Sequence, residues 1–165
     1  MEATIKTRLN VRRAPRAFSD WIIEDAENEE TLYFCEHQQH LTNFKVTLHR
    51  GNKEGPIIAE AVRRSYHATV VITFGQTEIK FGPKAFASSE FVFEWKDRGM
   101  MWTGRISDLK LKADGEMVAH FYRRDGWSKD GTIEIYDMVE DMDVIVITFM
   151  MYSHRQLSDE ANIGG

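Results

Sequence analysis

The chain has a single cysteine, Cys35, among its 165 residues. That excludes an intramolecular disulfide and any multi-cysteine zinc site, and it suits a reducing compartment. Prolines number three, and with 42% hydrophobic and 28% charged residues this scarcity argues against disorder as the main state. No apolar run approaches the roughly 20 residues of a membrane span, and the opening MEATIKTRLNVRRAPRAF lacks the apolar core of a secretory signal. A soluble cytoplasmic protein, at most peripheral to a membrane, is the expectation. There is no GxSxG elbow, P-loop, dinucleotide glycine fingerprint or HExxH, so no cofactor is expected and covalent chemistry has no positive signal. Helical periodicity is nearly missing between Trp21 and Tyr136.

The net charge of −5 is unevenly spread. Lys6, Arg8, Arg12, Arg13 and Arg16 face only Glu2 near the start, which leaves the rest of the chain more acidic than the total implies. An acidic body argues against nucleic acid as a partner. Residues 1–17 read as a basic, flexible arm that could touch an anionic membrane surface, residues 18–157 as one domain, and residues 158–165 as a flexible tail.

Short apolar runs punctuated by turn residues every eight to twelve positions predict a sandwich or barrel. They fall at 21–23, 31–35, 44–48, 57–62, 68–74, 78–81, 91–95, 101–105, 109–112, 117–122 and 132–136. Asp114-Gly115, between alternating strands, reads as a two-residue hairpin turn, and further breaks are expected at Gly51-Asn52, Gly75-Gln76, Gly82-Pro83, Arg98-Gly99 and Asp130-Gly131.

What is abundant is concentrated in DVIVITFMMY, residues 143–152, apolar on every face. Its β-branched residues allow a doubly buried central strand. Acidic residues before it (Asp137, Glu140, Asp141, Asp143) and His154 and Arg155 after it follow the polarity of a helix dipole, which favours a buried helix. A helix without a polar stripe must be enclosed, and the preceding strands supply the enclosure.

With Trp95, Trp102, the hairpin carrying Gly115 and Ala119, GTIEIYD at 131–137 and then the apolar run, the chain resembles the Tubby C-terminal-like superfamily, nearest to small fungal members of unknown function. That resemblance implies a mainly β fold, a closed antiparallel barrel of about twelve strands around a buried hydrophobic C-terminal helix. Tubby proteins bind phosphoinositides through clustered cations, whereas this chain offers scattered pairs, Arg63-Arg64 and Arg123-Arg124. The cysteine-rich segment and calcium motif of scramblase-like members are missing.

The expected function is therefore a non-enzymatic module whose outer barrel surface recognises a lipid headgroup, a small apolar ligand or a protein partner. Arg63, Arg64, Arg123 and Arg124 are the candidate anion contacts. A homodimer is a further expectation, because a strand such as 68–74 is sticky unless paired. The alternative is a small cofactor-independent isomerase, cyclase or hydrolase using His120, in the alternating MVAHFY, or a carboxylate beside an aromatic pocket. CEHQQH (Cys35, His37, His40) is the only local set of soft ligands and has no second cluster, so no metal site is expected. Glu140, Asp141 and Asp143 read as helix-dipole partners.

Overall fold

The computed structural model describes residues 4–13, 20–40, 43–64, 68–86, 88–123, 131–136 and 141–163, the side chains of His40 and of residues 155–163 excepted. Strands β1 (Ile5–Arg13), β2 (Trp21–Asp25), β3 (Thr31–His40), β4 (Asn43–Arg50), β5 (Ile57–Arg64) and β6 (Val70–Phe74) form half of the wall. The other half is β7 (Thr77–Pro83), β8 (Phe91–Trp95), β9 (Arg98–Arg105), β10 (Asp108–Ala113), β11 (Glu116–Arg123) and β12 (Gly131–Tyr136), followed by helix α1 (Met142–Ile163). Each strand pairs antiparallel with its sequence neighbours and β1 pairs with β12, so the sheet closes into a twelve-stranded barrel.

Period-two patterning drives the wall. In β10, Leu109, Leu111 and Ala113 are buried and alternate with Asp108, Lys110 and Lys112. In β1, Leu9 and Val11 point inward between Arg8, Asn10 and Arg12. The segment read as an arm thus contributes the twelfth strand, and Lys6, Arg8 and Arg12 are outward-facing members of the wall, while Arg13 falls on the inner parity over the Trp21 ring. Arg8 lies 3.9 Å from Glu134 and Arg12 bonds Glu24. At the other end, α1 continues to Ile163, into the stretch read as a tail. Strand β6 is paired on both edges, with β5 and β7, so the stickiness expected of it is relieved within the barrel.

The helix is enclosed by the wall. Val144, Ile145, Val146 and Ile147 are successive residues, each 0–1% exposed. Four successive residues at 100° intervals sample all sides of a helix, so every side is covered. The β-branched run adopts helix because a closed wall has no edge to receive another strand. Inside, Trp102 Nε1 donates to Thr148 Oγ1 at 2.8 Å, and that hydroxyl donates to the Val144 carbonyl at 2.7 Å.

Both ends of the buried helical segment are tied. Asp141 accepts from Trp95 Nε1 at 2.7 Å and from Lys96 Nζ at 2.8 Å. Burial pushes the Asp141 carboxyl up, but Lys96 and Trp95 together hold it below the ordinary value. Asp143 accepts from the Tyr33 hydroxyl and, at 3.1 Å, from Arg50 Nη2. Burial, aided by Asp143, pushes the Tyr33 phenol up. Beyond favouring the helix dipole, these carboxylates fasten the helix start to opposite sides of the wall; Glu140 lies outside the described residues. Toward the far end, Tyr152 donates to the Ser89 carbonyl at 2.6 Å.

Candidate functional site

The wall is weakest between β7 and β8. Those strands pair at two positions, Gly82 with Val92 and Pro83 with Phe91, whereas β6 with β7 and β8 with β9 each pair at five. Residues 79–81 and 93–95 therefore face each other with no ladder partner across the seam. Over it lies an open groove of about 740 Å³, within the range typical of small-ligand sites.

The groove mixes residues from both faces of the wall. Ile79, Phe93 and Met100, which point inward, reach it where the seam parts, and Val92 and Met101 supply apolar surface from outside. Met and Phe make a floor that adapts to ligand shape. Lys80 and Lys112 bring positive charge, and Glu78, Glu94 and Asp114 bring negative charge. Neither lysine makes an ion pair among the described residues. Two tight turns frame this surface. Lys96 and Asp97 (φ 49° and 62°) make the β8–β9 turn, two residues before the glycine break read from sequence. Asp114 and Gly115 (φ 51° and 83°) make the β10–β11 turn as expected. Positive φ at both central residues matches the twist of a hairpin, and Lys96 and Asp97 adopt it without glycine. Gly99 instead keeps its side open: a Cβ there meets nothing within 4 Å.

A family model described as a family of unknown function, DUF6593, matches residues 15–157. The chain belongs to that family. No curated protein and no solved structure matches it. The DUF6593 match takes in β2 to β12, the whole groove and the enclosed part of the helix.

The site residues read from sequence lie elsewhere in this DUF6593 barrel. His120 sits on the outer face of β11, bonded to Asp108, and it lines no part of the groove. Arg63 and Arg64 end β5 and Arg123 ends β11, six strands apart in a ring of twelve, so the barrel places them on opposite sides rather than in one patch. Arg124 lies outside the described residues. Arg63 also lies over the Phe44 ring, 5.9 Å from its centroid. Cys35 and His37 share the inner face of β3 as their spacing requires, and burial pushes the Cys35 thiol up. Among the described residues no third ligand joins them.

The groove residues were missed because no motif marks them. A seam is set by where a ladder stops, which single-strand patterning does not encode.

His37 has a partner of another kind. It lies beside His154 of α1, with ring centroids 6.1 Å apart, and His154 stacks on Phe44 at 3.7 Å. Burial, with His154 and Arg13 nearby, pushes the His37 imidazole down to about 3. Burial and Arg63 push that of His154 down to about 4.

Proposed function

We propose that this protein is a binding module of Tubby-like architecture that takes a small amphipathic ligand on the outside of the barrel, in the groove over the β7–β8 seam. The observation that carries this reading is the broken ladder beneath a groove of about 740 Å³ in a barrel whose interior is occupied by its own helix. The apolar body of the ligand lies on Val92, Met100 and Met101. An anionic group is met by Lys80 or Lys112, and donor groups are met by Glu78, Glu94 or Asp114. The seam adds backbone groups without ladder partners, which suit a ligand carrying an amide or hydroxyl.

Gly99→Trp fills the groove without backbone strain, because Gly99 lies in the negative-φ range and its Cβ position is open. The probe is 8-anilinonaphthalene-1-sulfonate, which pairs an apolar ring system with one anionic group. The wild type should show saturable fluorescence enhancement. Gly99→Trp should abolish it while shifting the melting temperature by no more than about 2 °C, and Lys112→Glu should weaken it. Enhancement that survives both substitutions unchanged refutes the groove as the site.

A further inference from the structure

In an up-and-down barrel every odd-numbered strand ends at the same rim. Here that rim is basic. Strands β5, β9 and β11 end in Arg64, Arg105 and Arg123, and the β7–β8 connection opens with Lys84. These four cations begin four consecutive connections on a contiguous arc of the ring, so Lys84 and Arg105 fill the half-circle between the two arginine positions. No described carboxylate pairs with any of the four. The described carboxylates at this end are buried Asp20, half-buried Glu90, and Asp108, which is tied to His120. The opposite rim carries more acid than base, with Asp25, Glu27, Glu29 and Glu30 around one connection and Asp114 and Glu116 around another. Against these stand Arg50, Lys53, Lys96 and Arg98, of which Arg50 and Lys96 are paired with Asp143 and Asp141.

Within the basic arc, two residues after Lys84, Phe86 is 102% exposed. A phenyl ring held wholly in water gains nothing from the fold. Beside a crescent of cations, it has the composition of an interfacial anchor. We propose that this rim docks the barrel on an anionic lipid surface, with Phe86 entering the headgroup boundary while Arg64, Lys84, Arg105 and Arg123 meet lipid phosphates and carboxylates. The surface is separate from the groove, which opens on the side of the barrel. An acidic protein would satisfy the cations but leaves the fully exposed ring without a role, which favours lipid.

Flotation with phosphatidylcholine vesicles, with and without phosphatidylserine, tests this. Retention should require phosphatidylserine and fall with added salt, since each interfacial cation contributes roughly fivefold to partitioning. The double substitution Lys84→Glu/Arg105→Glu should abolish retention. Phe86→Ala should reduce it about tenfold with an unchanged melting temperature, because the ring contacts nothing that its removal could loosen. Gly99→Trp should leave retention intact. Retention that ignores phosphatidylserine, or that persists in the charge-reversed variant, overturns the proposal. So does loss of retention in Gly99→Trp, which would move the lipid contact to the groove, and so does binding to polyglutamate without binding to vesicles.

Discussion

His37 and His154 meet at the end of the barrel toward which the helix runs, both partly buried and both flanked by arginine. Their imidazoles are held neutral in the fold, at about 3 and about 4, against 6.5 in an exposed chain. The unfolded chain therefore takes up two protons below about pH 6.5 that the folded chain refuses, so stability falls as pH drops from about 6.5 toward about 4. Asp141 works in a lower window. Its carboxyl is held below the ordinary value, so its contribution is present above the carboxylate range and is lost only as pH falls through it. Urea titrations at pH 7 and pH 5 should differ by about 1–3 kcal/mol. His154→Phe, which keeps the stacking on Phe44, should flatten that difference appreciably. An equal pH dependence in the variant would remove His154 from the account. The sequence showed these histidines as members of CEHQQH and of a helix end; their meeting depends on a long-range contact that neither segment encodes alone.

At the scale of elements, the eleven expected strands all appear, because alternation of buried and exposed residues is a local property. The twelfth was present in the same code. IKTRLNVRR alternates Ile5, Thr7, Leu9 and Val11 with Lys6, Arg8, Asn10 and Arg12, but its cations dominate composition and suggested an arm. Outward cations in a barrel strand carry no penalty when a neighbouring strand offers carboxylates, as β2 and β12 do with Glu24 and Glu134. The helix was legible for a different reason: an all-apolar segment flanked by charge of the right polarity has few other solutions. Its length was not, since nothing local stops it near Arg155. Deleting residues 1–13 would convert β2 and β12 into open edges. The truncated chain should lose cooperative melting and aggregate, as followed by light scattering, whereas removal of a true arm would leave melting unchanged.

For the whole molecule, barrel and helix are complementary parts of one core. A closed barrel widens with strand number, and a wall of eight strands is about the widest that its own side chains can fill. Twelve strands leave an axial space that an object about 10 Å across must occupy, which is the width of a helix with its side chains. In this chain Val144 to Tyr152 are that object, and Trp102, Phe121, Phe91 and other wall residues pack against Phe149 and Tyr152. A wall without the helix would face water with its whole inner surface, so the barrel should form only together with its plug. A chain ending at Tyr136 should keep β-type far-ultraviolet dichroism while losing the near-ultraviolet signal of packed aromatics, and should unfold without a sharp urea midpoint. Supplying residues 137–165 as a separate peptide should restore both signals in proportion to peptide concentration, because the plug then binds by mass action. A sharp transition in the truncated chain alone would show that the wall stands by itself. The interior would then be free for a ligand, and the case for seeking the binding site on the outer surface would fail with it.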